Sequence, residues 1–333
     1  MICRILLVET TGALSSRLPE LFRGDLEAAG SPVTPGQLLE AVRELEPNVA
    51  LVEIDGPSPE AQRAIEAVMA DQPVPVLLVV QSAAQRPAAI ELLAAGALDV
   101  FELPRRIDAG VLAALRRQLL LLAKVSVVKH PRGRRRKTVS RIIALKPAYP
   151  LVAIAASLGG PRALAELLGS LPPSFGAPIV VCQHITPGFS DDLARWLQAE
   201  TGLRVHEAVD GQPLAKGEVF IAPAHVHMLV TPGGTLKLDD GPAVGGFKPA
   251  CDVLLKSAAH AFGPRAIGVV LTGMGKDGAK GLKEIRARGG HTVAQDEESC
   301  VVFGMPKEAL AAGAVEKVMP LDQIAAQLAR WVS

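Results

Sequence analysis

Three short segments of the chain hold reactive side chains just past apolar runs. In Ala155-Ala156-Ser157-Leu158-Gly159-Gly160-Pro161, a serine closes an apolar run, and two glycines and a proline follow it. The glycines permit a tight turn and close approach of a substrate, and Pro161 suits the first turn of a helix. The N-terminus of that helix would lower the cost of negative charge beside Ser157. In Cys182-Gln183-His184-Ile185-Thr186-Pro187-Gly188, a histidine stands just past a second apolar run. In Leu271-Thr272-Gly273-Met274-Gly275-Lys276-Asp277-Gly278-Ala279, three glycines surround an aspartate in an open turn that exposes backbone N–H groups. Each segment alone has a structural explanation: a capping serine, a core histidine, a turn aspartate. Together they supply the nucleophile, base and orienting carboxylate of serine hydrolysis. The chain order Ser…His…Asp differs from the three common orders, which is admissible because geometry defines a triad. Ala155 stands where a G-x-S-x-G elbow has its first glycine, so the α/β-hydrolase motif itself is missing.

These side chains need a scaffold, and each follows a predicted strand. In open α/β sheets the carboxyl ends of strands are where ligands bind. Apolar runs over 151–156, 178–182, 219–221, 267–271, 291–294 and 315–318 alternate with helical patterns that start at 162, 190, 252, 279, 307 and 321. Between 217 and 238, strand-like pieces around a Pro-Gly-Gly turn predict a β-hairpin added to the sheet. The first third repeats the alternation. Runs over 5–8, 49–54, 76–80 and 98–101 are separated by amphipathic stretches over 36–45 and 59–69, and a Leu/Ala-rich helix over 109–122 closes it. Apolar runs bounded by helices on both sides predict an α/β chain of two doubly wound, mainly parallel sheets.

With 333 residues, 49% hydrophobic and 21% charged, the chain has room for two cores and is not disordered by composition. Aromatics make up only 3%, so aliphatic cores are expected and stacking platforms for single-stranded nucleic acid are disfavoured. A net charge of +1 gives no general attraction to nucleic acid or acidic lipid. The four cysteines, Cys3, Cys182, Cys251 and Cys300, are too scattered in sequence to suggest a zinc knuckle or a disulfide framework. No signal peptide opens the sequence and no apolar run reaches the roughly 20 residues of a membrane helix, so a cytoplasmic protein without membrane insertion is expected. Nine of the 35 Lys/Arg, and none of the 34 acids, fall between Lys124 and Lys146. That stretch reads as a solvated tether between domains, or as a contact for an acidic partner or membrane surface.

From about residue 151 to 328 the sequence resembles the catalytic domain of chemotaxis-type protein-glutamate methylesterases, the CheB family. AASLGGP is similar to that family's nucleophile loop, VCQHITPGFS to its histidine loop, LTGMGKDGAKGL to its aspartate loop and AQDEESCVVFGMPKEAL to its C-terminal signature. EAVDGQPLAKGEVFIAP and FKPACDVLLKSAA are shorter matches. The resemblance implies Ser157 as nucleophile, His184 as base, Asp277 as orienting acid and the Met274 N–H as an oxyanion donor, with Gly159 and Gly160 shaping the nucleophile loop. It implies hydrolysis of γ-glutamyl methyl esters on the cytoplasmic helices of a methylated chemoreceptor, deamidation of receptor glutamines by the same chemistry, and no metal or organic cofactor. Leu158 departs from the family's threonine, and Ala224 and Ala250 from its small polar or glycine residues.

The segment before it resembles a response-regulator receiver, flavodoxin-like in outline, and in that family the receiver meets a chemosensory histidine kinase. Its chemistry is missing. Aligned by strands, the acidic pair falls at Glu9 and Thr10, the phosphoacceptor aspartate at Glu53, the hydroxyl residue at Val80 and the lysine at Leu103. A receiver needs clustered acids for Mg²⁺, an aspartate to take the phosphoryl group and a lysine to pair with it. The expected organisation is a pseudo-receiver over 1–123, a basic linker over 124–147 and a methylesterase domain over 148–333. A non-catalytic docking or adaptor protein of a chemosensory pathway is the competing expectation.

Overall fold

A computed structural model describes residues 2–125, 127 and 149–332. The chain divides into two compact units, Met1–Arg132 and Gly133–Ser333. Of the predicted linker, only 124, 125 and 127 are described, and the rest of 124–147 lies outside the described residues. Among the described residues no helix is long and apolar enough to cross a membrane.

In the first unit the elements run β1 (Cys3–Val8), α1 (Ala13–Arg17), β2 (Leu26–Ala28), α2 (Leu38–Leu45), β3 (Val49–Glu53), α3 (Pro59–Asp71), β4 (Val76–Val80), α4 (Arg86–Ala95), β5 (Asp99–Glu102) and α5 (Ala109–Leu122). The five strands form one parallel sheet in the order β2-β1-β3-β4-β5, the flavodoxin-like winding. Strands β3 and β4 are buried along their whole length, as the unbroken apolar runs require when helices cover both faces. Side-chain caps start two of the helices. Ser58 accepts the N–H of Ala61 ahead of α3, and Asp108 accepts that of Val111 ahead of α5.

The second unit comprises β6 (Leu151–Ala156), α6 (Gly160–Gly169), β7 (Ile179–Gln183), α7 (Ser190–Thr201), β8 (Arg204–Glu207), β9 (Glu218–Ile221), β10 (His227–Val230), β11 (Leu236–Asp239), α8 (Cys251–Phe262), β12 (Ala266–Val270), α9 (Ala279–Ala287), β13 (His291–Gln295), α10 (Met305–Ala311), β14 (Lys317–Met319) and α11 (Leu321–Val332). Seven strands pair in parallel in the order β14-β13-β12-β6-β7-β9-β8. Strands β6, β7 and β12 are fully buried. The core between the sheet and α8 is mainly aliphatic and includes the fully buried Leu254, Leu255, Leu282 and Val270.

The hairpin expectation needs correction. Residues 227–239 do fold back antiparallel as β10 and β11, yet they form a separate two-stranded sheet and extend no edge of the main one. The edge beyond β9 is already taken by β8. The hairpin packs on α8 instead: the Val230 N–H donates to Ser257 Oγ at 2.9 Å, and Met228 and Val230 join the aliphatic core.

Candidate active site

The three reactive side chains stand at the carboxyl ends of β6, β7 and β12. From β6 the chain winds outward through β7, then returns to lay β12 on the other side of β6. That reversal of strand order opens the crevice in which α/β sheets bind ligands. The register aligns Ala156 of β6 with Gln183 of β7. Ser157 and His184 are the next residues on adjacent parallel strands, and the His184 N–H donates to the Ala156 carbonyl at 3.0 Å.

Backbone bonds fix the serine. Its N–H donates to the Thr272 carbonyl at 3.1 Å, and its carbonyl accepts from the Gly160 N–H and from Gln183 Nε2, each at 2.8 Å. Gly159 adopts φ 74, a left-handed turn that favours glycine, so the chain can reverse directly into α6. A Cβ on Gly159 would also lie 2.8 Å from Val301 Cβ. At Gly273 a Cβ would lie 2.7 Å from that of Ser157, so only glycine lets the aspartate loop press against the serine. Thr272 stitches these loops together. Its hydroxyl bonds to the Leu158 carbonyl at 3.0 Å and accepts the Val302 N–H at 2.9 Å, while its own N–H donates to Gln295 Oε1 at 2.9 Å.

His184 Nε2 lies 2.9 Å from Asp277 Oδ2, and the imidazole stacks on Phe247 with ring centroids 4.2 Å apart and planes 3° from parallel. The other ring nitrogen, Nδ1, is buried without a hydrogen-bond partner among the described residues. Ser157 and His184 thus share one end of the sheet, but their side chains do not bond to each other.

Asp277 is held from a second direction. The first two N–H groups of α8 donate to it, Cys251 to Oδ2 at 2.7 Å and Asp252 to Oδ1 at 2.9 Å. Asp252 returns the arrangement on α9, accepting the N–H groups of Gly278 at 3.0 Å and Gly281 at 2.8 Å. Each carboxylate therefore caps the other's helix. Desolvation opposes the charged form of Asp277, but His184 and the two amides overcome it and hold the carboxyl below the usual range. Burial likewise opposes an imidazolium at His184. The neighbouring Cys251 sulfur and the Asp277 carboxylate outweigh it and raise the histidine above its ordinary value. Burial pushes the Cys251 thiol well above its ordinary value.

Sequence reasoning placed the three side chains at strand ends but missed their supports: the N-terminus of α8, Phe247, Thr272 and Gln295. The segment FKPACD carries two of these, with no local pattern that tells a distant carboxylate would sit on its amides.

In the first unit, Glu53 ends β3 at the predicted phosphoacceptor position and is buried. Its carboxylate accepts the N–H groups of Thr10 and Thr11, each at 3.1 Å, the Thr11 hydroxyl at 2.5 Å and Gln81 Nε2 at 3.3 Å. Glu9, the retained acid, accepts the N–H groups of Leu14 and Ser15 at 2.9 and 3.0 Å. Both carboxylates are satisfied by protein donors. Arg17 bonds to Gln81 Oε1 at 2.5 Å and to the Pro104 carbonyl at 2.6 Å, tying neighbouring strand-end loops together.

Comparison with known proteins gives a consistent picture. The CheB methylesterase family model matches residues 152–328. The protein-glutamate methylesterase FrzG of Myxococcus xanthus is 49% identical over 306 residues, covering 90% of this chain and 91% of its own length. A protein-glutamate methylesterase/protein-glutamine glutaminase of Anaeromyxobacter dehalogenans is 44% identical over 319 residues, 92% of each chain. Among solved structures, the Thermotoga maritima CheB methylesterase catalytic domain superposes with a TM-score of 0.54 at 40% identity, covering 56% of this chain and all of that one.

Proposed function

Because the chain belongs to the CheB methylesterase family, we propose that it is a serine hydrolase that removes methyl groups from γ-glutamyl esters on the cytoplasmic helices of a chemoreceptor. The observation that carries this reading is the His184–Asp277 hydrogen bond beside Ser157 at the switch point of the sheet. Ser157 Oγ attacks the ester carbonyl while His184 Nδ1 takes its proton, and Asp277 holds the imidazole through Nε2. The Met274 N–H, which makes none of the backbone hydrogen bonds of its loop, stabilises the oxyanion, a contribution of about 3–4 kcal/mol. Collapse of the tetrahedral adduct expels methanol, protonated by His184, and leaves a glutamyl ester on Ser157. Water then attacks that ester, gives its proton to His184, and frees the receptor glutamate and the serine. With a glutamine side chain the same sequence expels ammonia. The test is methanol release from methylated receptor fragments by the full chain; a folded chain that releases none would contradict the proposal. The intact His184–Asp277 pair favours this enzyme over a non-catalytic adaptor.

In this reading residues 1–123 form a pseudo-receiver, 124–147 a basic linker and 148–333 the catalytic domain, all acting in the cytoplasm. Glu53 is one methylene longer than aspartate and already satisfied by four donors, so it offers no free carboxylate to a phosphoryl group. A chemosensory histidine kinase would meet this unit as a docking partner and not as a phosphoryl donor. Acetyl phosphate with Mg²⁺ should therefore leave methanol release unchanged, and clear stimulation would refute this part of the proposal.

The pH dependence has a definite sign. His184 must be neutral to accept a proton, and its raised pKa means that the base is lost as pH falls from above the ordinary histidine value of about 6.5. Asp277, shifted the other way, stays ionised throughout. The acid limb of kcat/KM should lie above pH ~6.5; a limb at or below that value would show that burial outweighs the neighbouring groups that favour the imidazolium.

A further inference from the structure

Two cysteines and the histidine of the active site converge in space although they are far apart in sequence. Cys182 Sγ, Cys251 Sγ and a ring nitrogen of His184 all lie within 4.8 Å of one another. A buried cysteine alone is only a small apolar filler. Here both thiols are wholly buried, and one of them lies 3.5 Å from the imidazole nitrogen. Tetrahedral Zn²⁺, with Zn–S of about 2.3 Å and Zn–N of about 2.0–2.1 Å, separates such a donor pair by ~3.6 Å. The second sulfur would need to close by no more than about 1 Å to complete the set. Two thiolates and an imidazole are the soft donors that favour zinc over magnesium or calcium.

We propose that Cys182, His184 and Cys251 form an inhibitory site for Zn²⁺, with water in the fourth position. Of the three side chains only His184 is exposed at all, by 10%. On binding, the two thiols release their protons to solvent and coordinate as thiolates. His184 Nε2 leaves Asp277 for the metal, and its proton moves to Nδ1. That nitrogen can then no longer accept the proton of Ser157, so turnover stops while the fold is kept. The site stands on donor geometry alone; the loss of turnover rests on the role proposed above for His184.

The test separates the two. Co²⁺ added to the full wild-type chain should give a thiolate-to-cobalt charge-transfer absorption that Zn²⁺ abolishes by displacement. Zn²⁺ should lower methanol release by at least about tenfold, and EDTA should restore it. The Cys182→Ala variant should turn over normally without metal and need at least about tenfold more Zn²⁺ for the same inhibition. Absence of the cobalt band in the wild type, or unchanged zinc sensitivity in Cys182→Ala, would overturn the site. Cobalt binding with turnover unaffected by zinc would overturn its inhibitory role. A chain that gives the cobalt band but releases no methanol even without metal would support the site while failing the esterase reading.

Discussion

Replacing Ser157 with alanine is expected to lower methanol release by about 10⁵–10⁶-fold while leaving the protein folded. The size follows from chemistry: without the hydroxyl no acyl-enzyme forms, and only water held near the oxyanion donors remains as nucleophile. Stability should survive because Ser157 is fixed through its backbone, whose N–H reaches Thr272 and whose carbonyl accepts from Gly160 and Gln183. Alanine keeps all three bonds. Single-turnover assays with a methyl-labelled receptor fragment, beside a thermal melt, measure both outcomes. A variant that retained a tenth of the wild-type rate would remove Ser157 from the chemistry.

The second large effect is expected at Asp277. The Asp277→Asn change should reduce kcat by about 10⁴-fold, because a neutral amide can neither stabilise the imidazolium nor enforce the tautomer that leaves Nδ1 free. The substituted side chain would still offer one carbonyl oxygen to the amides of Cys251 and Asp252, so part of the α8 cap persists. Asp277→Ala removes the cap as well and should cost a further ~0.5–2 kcal/mol of stability. The two variants therefore share a catalytic defect and differ in melting temperature. Comparable rates in Asp277→Asn and the wild type would show that the carboxylate is a structural cap only, the role it also fills for α8.

How much of this could be read beforehand depended on the range of the interaction. The central strands were legible because burial on both faces writes an unbroken aliphatic run into the sequence, as in Val76–Val80 and Leu151–Ala156. Strands β2 and β8 were missed, for their sequences LEA and RVHE lie at sheet edges and carry no such run. The serine, histidine and aspartate loops were legible because a reactive side chain follows a strand in each, with flanking glycines in the serine and aspartate loops. What holds them in place was not, since it joins residues far apart in the chain: the Thr272 hydroxyl reaches across 114 positions to Leu158, and His184 across 67 to Cys251. The resemblance puts the phosphoacceptor position at Glu53, but only coordinates reveal that Thr10, Thr11 and Gln81 occupy its carboxylate. Likewise nothing in the 217–238 pattern said that the hairpin would settle on α8 and not on the sheet.

The claim at the centre is that Ser157, His184 and Asp277 work as one unit, and a comparison of single and triple variants tests it most directly. Methanol release should be measured for Ser157→Ala, His184→Ala and the variant carrying Ser157→Ala, His184→Ala and Asp277→Asn together, all confirmed as folded. The account predicts that the triple variant is no slower than Ser157→Ala alone, within a factor of about three, since removing the nucleophile leaves the other two nothing to assist. Losses that multiply from one variant to the next would mean that the three side chains act independently, and would contradict the account.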